Sequence, residues 1–128
     1  MLPRFVAGRP VSAVTCPFLA WAAGRLAAEG VRVPALVWDD APWHVSRAVR
    51  AWIAAHDRRV EAAGSGCRLL VCRPPSRSPW LDPIEPGWVH GKRAVAEPER
   101  KLAAAELQRR LCDHYRCPLV EPLAQQAA

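Results

Sequence analysis

The sequence predicts an α/β fold of two to three short strands with flanking helices, and three observations carry that prediction. Two short apolar runs, 33–38 and 67–72, are bounded by turn residues in the manner of buried strands. Longer stretches with helical spacing of apolar residues alternate with these runs, which argues for parallel pairing with right-handed crossovers. At 128 residues, 51% of them hydrophobic, the chain has the length of one domain and the material for a real core. Charged residues make up 23%, close to the average of globular chains, so wholesale disorder is not expected.

Taken in order, Phe5-Val-Ala7 reads as a strand remnant. Ser12 or Thr15 caps a first helix with an apolar stripe of Phe18, Trp21, Ala22 and Leu26, ending at Gly30. Arg4 and Arg9 ahead of the apolar stretch Val11–Ala23 imitate a signal peptide. Ser12, Thr15 and Pro17 interrupt that stretch, however, and the amphipathic pattern continues to Glu29, so a helix of the domain is the expectation. No run reaches the roughly 18–20 apolar residues of a spanning helix, and a cytoplasmic protein is expected.

The strand 33–38 climbs to Trp38-Asp-Asp40 and turns at Pro42. Acids at the carboxyl end of a buried strand stand where open α/β sheets place their ligand sites. Ser46 then caps a second helix with Val49, Trp52 and Ile53 inward and Arg47 and Arg50 on its other face. The joint Glu61–Gly66 leads into the second strand, Cys67–Cys72. Pro74, Pro75 and Pro79 make 73–79 a stiff loop, because proline removes donors and fixes φ. A helix begins at Pro83, carries Glu85 near its start and runs to about Arg93. Pro98 opens the last helix, 99–115, with Leu102, Leu107, Leu111 and Tyr115 inward, and a polar, alanine-rich tail follows Pro118.

Composition narrows the partners. The chain holds 18 Lys+Arg against 12 Asp+Glu, and a basic domain with a local acidic pair suggests a polyanion held near a bound cation. The five cysteines are odd in number and lack CxxC spacing. Cys112, His114 and Cys117 have no evident fourth partner for zinc, so reduced, mostly structural thiols are expected. Asp39, Asp40 and Glu85 are hard oxygen ligands of the kind magnesium and manganese prefer. Such ions, used in pairs, activate a water or a 3′-hydroxyl in phosphodiester chemistry.

Two longer stretches point the same way. Leu36-Val-Trp-Asp-Asp-Ala-Pro-Trp-His44 resembles the W-D-N-A-x-x-H box of mariner-like bacterial insertion-sequence transposases. Ser78-Pro-Trp-Leu-Asp-Pro-Ile-Glu-Pro-Gly-Trp88 resembles their S-P-x-L-N-P-I-E-x-x-W box, and the boxes stand in the family's order. The resemblance spans about residues 4 to 115. It implies an incomplete RNase H-like fold over 1–118, with 119–128 as the tail. It also implies a DDE catalytic domain that cuts and rejoins DNA with two Mg²⁺ or Mn²⁺ ions held by three carboxylates.

Carried over position by position, Asp39 matches the second catalytic and metal-binding acid and Glu85 the third. Asp40 and Asp82 stand where the family has Asn, and His44 matches the box's histidine. No Asp or Glu precedes Glu29, so the first acid and the opening strands are expected to be missing and activity alone to be little or none. The separation of Asp39 from Glu85 is longer than in related elements, and the joint at Gly64-Ser-Gly66 is the expected place of the extra length. Arg47, Arg50, Arg73, Arg77, Lys92 and Arg93 are the candidates for phosphate contacts with transposon-end and target DNA. Trp43 and Trp80 are candidates for stacking on bases, while Trp88 reads as core. A homodimer or an intact transposase is the expected protein partner. Two rival readings stand beside this one: a non-catalytic DNA-binding or partner-binding remnant, and a decayed product whose sheet lacks its central strand.

Overall fold

A computed structural model describes residues 3–9, 11–75, 84–97 and 99–124. In chain order the elements are β1 (Val6–Ala7), α1 (Ser12–Ala28), β2 (Ala35–Val37), α2 (Pro42–Val45), α3 (Arg47–Ala63), β3 (Leu70–Cys72), α4 (Glu85–Val95), α5 (Ala104–Tyr115) and β4 (Leu123–Ala124). The strands form two parallel pairs, β2 with β3 and β1 with β4. The chain is therefore a mixed α/β structure with short parallel strands.

The organising unit is β2–α3–β3. Ala35 pairs with Leu70 and Val37 with Cys72, and Leu70 N–H donates to Pro34 O at 3.1 Å. Ser46 caps α3 as its residue type suggests, accepting from Val49 N–H at 3.2 Å. The same hydroxyl accepts from Ser12 Oγ at 2.8 Å and so ties the start of α1 to the start of α3. Gly64 ends α3 at φ 63°, a left-handed conformation that glycine adopts without steric penalty.

The inner face of α3 does more than pack. His56 Nε2 donates to Cys67 O at 2.8 Å while its ring stacks on Trp52, and Asp57 Oδ1 accepts from Leu69 N–H at 2.9 Å. Two helix side chains thus satisfy backbone groups of the chain entering β3, where no neighbouring strand does so among the described residues. The core beneath consists of Leu19, Ala23, Trp38, Val49, Ile53, Cys67 and Leu69. The opposite face of the β2–β3 pair is bare, with Val33 55%, Val37 43% and Leu70 56% exposed.

Helix α1 closes with a Schellman arrangement: Val31 N–H returns to Leu26 O and Gly30 N–H to Ala27 O, with Gly30 at φ 82°. Val31 and Leu26 both pack against the core, so the cap also aims the chain into β2. The buried face of α1 is Val14, Thr15, Leu19 and Ala23, one step round from the expected stripe. The helix is flanked by α3 on one side and β4 on another, and Trp21 serves the second side, where the Arg4 guanidinium lies 5.1 Å from its ring centre. Neither Ser12 nor Thr15 caps it; Thr15 Oγ1 returns a bond to Val11 O at 3.3 Å.

The C-terminal half departs further from expectation. Helix α5 starts at Ala104, not at 99. Arg100 bridges back to Glu97 at 2.9 Å and forward to both oxygens of Glu106, and Arg110 binds the same two acids. These charge-assisted bonds hold the connection as a loop in place of another helical turn. Leu111 is buried as expected, but Leu107 is 38% exposed. Helices α4 and α5 pack together: Tyr115 Oη donates to Gly87 O at 2.6 Å, and Trp88 meets the Tyr115 ring edge-on. The segment read as a polar tail carries β4, whose Leu123 N–H donates to Phe5 O at 2.9 Å. Among the described residues, no helix is long and apolar enough to cross a membrane.

Candidate functional site

The site begins where β2 ends. Alternation along the strand sends Trp38 into the core, 8% exposed, and leaves the next residue, Asp39, facing solvent. The chain then turns through Ala41 into α2, with Pro42 in the first turn, where its missing N–H carries no penalty.

This turn is built on the Asp39 carboxylate. Its Oδ1 accepts from Ala41 N–H at 3.1 Å, the side-chain-to-backbone closure by which aspartate forms turns. The same oxygen accepts from His44 Nδ1–H at 2.7 Å, one turn of α2 further on. The His44 ring stacks on Trp38 with centroids 4.7 Å apart and planes 6° from parallel, while Trp43 meets it edge-on at 6.0 Å. The imidazole is thereby fixed in position by a buried indole and in tautomer by a carboxylate.

Both bonds go to Oδ1, which leaves Asp39 Oδ2 open among the described residues. The side chain of Asp39 is 69% exposed and that of His44 26%. A carboxylate with one oxygen anchored and the other presented to solvent suits monodentate binding of a hard cation. A histidine bonded to a ligating carboxylate is a common means of aiming it.

Parallel pairing brings more to the same place. Because β2 and β3 run in one direction, with Val37 opposite Cys72, Asp39 and Arg73 both emerge at the carboxyl edge of the pair. Helix α3 starts from that edge, so Arg47 and Arg50 lie in its first turns beside it. Arg50 and Arg73 line one open cleft of about 550 Å³ with Ile53, Ala54, Asp57 and Val71. Arg47, Arg50 and Arg73 are exposed.

Glu85 is the first residue of α4, exposed, on the helix that packs against α5. Among the described residues no group of three or more His, Cys, Asp or Glu side chains is placed to hold a metal ion, so Glu85 joins Asp39 in none. Asp40 is exposed, as are Lys92 and Arg93 in the last turn of α4. Arg77, Trp80 and Asp82 lie outside the described residues. Trp88 is half-buried against Tyr115, in keeping with a packing role.

Sequence reasoning missed the bond between Asp39 and His44, and it missed His56 and Asp57. The signals were there in outline. Asp39 and His44 are five apart across a proline turn, and Ile53, His56, Asp57 and Val60 recur at helical spacing on an inward face. Comparison with protein-family models, with curated proteins and with solved structures gives no match, so the reading of this site rests on its own residues.

Proposed function

We propose that the chain is part of a DDE transposase catalytic domain with an RNase H-like plan, built for metal-dependent cleavage and transfer of DNA strands and inactive alone. The observation that carries this reading is Asp39: an acid at the carboxyl end of a parallel strand, anchored through Oδ1, with arginines at the same edge. An acid that presents one oxygen inside a basic rim suits a cation bridged to a phosphodiester. The two sequence boxes, one ending at His44 and one holding Glu85, support the same reading.

The described residues do not complete a metal site, since they offer one oriented carboxylate and no group of three ligands. In this reading Asp39 supplies a ligand oxygen, His44 holds its orientation, and the arginines hold the strand. No turnover is assigned to this set alone.

The test is DNA binding and nicking with and without Mn²⁺. Mn²⁺ is expected to tighten DNA binding, Asp39→Asn to remove that increment, and nicking to be absent. If Mn²⁺ leaves binding by the wild-type chain unchanged, the metal reading fails. Nicking that Asp39→Ala abolishes would instead show a complete enzyme.

A second reading, a non-catalytic DNA-binding piece, is favoured by the lack of a three-ligand group among the described residues and by the exposed arginines. It predicts salt-dependent DNA binding that survives both EDTA and Glu85→Ala.

A further inference from the structure

Helix α5 ends in a cap that brings two thiols together. Arg116 N–H returns to Asp113 O at 3.2 Å and Cys117 N–H to Cys112 O at 3.0 Å, with Arg116 left-handed at φ 51°. This is a Schellman arrangement, in which the side chains at the two ends of the longer loop often pack on each other. Here those side chains are Cys112 and Cys117. The 3.0 Å bond between their backbones holds the two Cα atoms to at most about 7 Å. A disulfide spans Cα separations of about 4.4–6.8 Å, so the cap sets the pair within its reach.

The sulfur follows the backbone. Cys112 Sγ lies 3.8 Å from the carbonyl oxygen of Pro118, so it faces the chain just beyond the cap. Burial, and after it a side-chain bond to Cys117, push the Cys112 thiol up. The two residues differ in access. Cys112 is 4% exposed, whereas Cys117 is half-buried and lines an open cleft of about 550 Å³ with Trp21, Arg25, Leu26 and Arg116. Guanidinium groups beside a thiol favour its thiolate, the reactive form. Neither the metal site nor the DNA contacts use this cleft.

We propose that Cys112 and Cys117 form a reversible disulfide, closed by hydrogen peroxide, that staples the last turn of α5 to the chain leading to β4. The Cys117 thiolate attacks one peroxide oxygen. The O–O bond breaks, the sulfur becomes a sulfenic acid, and the hydroxide released takes up a proton as water. Cys112 Sγ then attacks Cys117 Sγ and gives up its proton. The S–O bond breaks, and the hydroxide leaves with that proton as a second water. Two thiols and one peroxide thus give one disulfide and two waters, with two electrons passing from sulfur to oxygen. Exchange with two molecules of glutathione restores both thiols and yields glutathione disulfide. The inference does not depend on the transposase reading.

The experiment treats the full chain, reduced and freed of reductant, with hydrogen peroxide and maps it with trypsin. Trypsin cuts after Arg110 and Arg116, so the fragments 111–116 and 117–128 separate in the reduced chain and stay joined in the oxidised one. The joined fragments are expected as the main disulfide product, and dithiothreitol should part them. In Cys112→Ser, dimedone should trap a sulfenic acid on Cys117 ahead of Cys16 and Cys72. Because the cap and not the short spacing joins the thiols, a glutathione redox buffer should give a disulfide-to-dithiol ratio at least about tenfold higher in the folded chain than in urea. An equal ratio in urea, or disulfides shared with Cys16, Cys67 or Cys72, would overturn the proposal. The wild-type map and the urea comparison need no substitution, so they decide the matter even if Cys112→Ser fails to fold.

Discussion

His44 lies parallel to Trp38, 4.7 Å away, and from that position its Nδ1 reaches Asp39 Oδ1 at 2.7 Å. The indole is core and the carboxylate is surface, so the imidazole connects the packed interior to the open oxygen of the site. Asp39 is too exposed for this bond to carry much stability. A double-mutant cycle of Asp39→Asn and His44→Ala is expected to give a coupling of about 0.2–1 kcal/mol, as exposed pairs do. The effect on ligand binding is expected to be larger. His44→Ala should weaken Mn²⁺ binding by about tenfold or more, the usual effect of losing the group that orients a ligand. Equal Mn²⁺ affinity in a paramagnetic titration of both proteins would show that His44 does not aim Asp39.

Ser46 is the joint of the organising unit. Ser46→Ala removes the cap of α3 and the bond from Ser12 together, and a loss of about 1–2 kcal/mol is expected in urea unfolding. Ser12→Ala removes only the second bond and should lose about half as much. A Ser46→Ala protein as stable as wild type would contradict the capping geometry.

The α4–α5 pair turns on one phenol. Tyr115→Phe deletes the bond to Gly87 O and should cost about 1 kcal/mol. Gly91→Ala should cost more, about 1–3 kcal/mol, because the added methyl would overlap Tyr115 Oη. Hydrogen exchange reads both: amides of α4 and α5 should lose protection while those of α3 keep theirs.

The acids of the α5 entry loop titrate with the fold. Side-chain bonds from Arg100 first and Arg110 second hold both Glu97 and Glu106 below the usual carboxylate range. A depressed carboxylate contributes stability that is present above its unfolded pKa, about 4.3, and is lost as pH falls through the folded value. Helix α5 is therefore expected to loosen as pH drops from about 5 toward 3, and Glu106→Gln should flatten that dependence. Both groups are at the surface, so added salt should weaken the same effect. A pH profile unchanged by Glu106→Gln would exclude the network as its source.

Cysteine labelling offers an independent check on burial. Burial, with a smaller contribution from Asp57, pushes the Cys67 thiol up, and the residue is only 2% exposed. Cys72 and Cys117 are half-buried. Iodoacetamide at pH 8 should therefore modify Cys72 and Cys117 before Cys67, with Cys67 reacting only on unfolding. Early modification of Cys67 in the native chain would show that the β3 entry is not packed as described.

The parts of the fold that sequence reasoning recovered are those whose signal is local. Ser46 before an amphipathic run, Gly64 after it, and two short apolar runs on either side suffice for β2–α3–β3. Asp39 at a strand end and Ser46 as a cap follow from residue type and position. The parts it missed depend on partners distant in sequence. The two-residue strand Leu123–Ala124 has no periodicity, and only its pairing with Val6–Ala7, which the sequence did suggest as a strand, makes it one. Helix α5 starts late because Arg100 finds Glu97 and Glu106, a choice that helix propensity does not encode. The inward face of α1 was off by one residue because the helix is packed on more than one side. Within the candidate site, Asp39 was foreseeable as an acid; its anchoring by His44 required the geometry of the turn.

The β1–β4 pair lies close to both extremities of the chain. Its strands run in the same direction, so a stretching force applied to the two ends pulls β1 backwards and β4 forwards. The strands would have to slide past each other, loading the hydrogen bonds of the pair together instead of peeling them one at a time. Under such a load Val6–Ala7 and Leu123–Ala124 would act as a mechanical clasp, sheared as a unit and separate from the core residues, none of which lies in either strand.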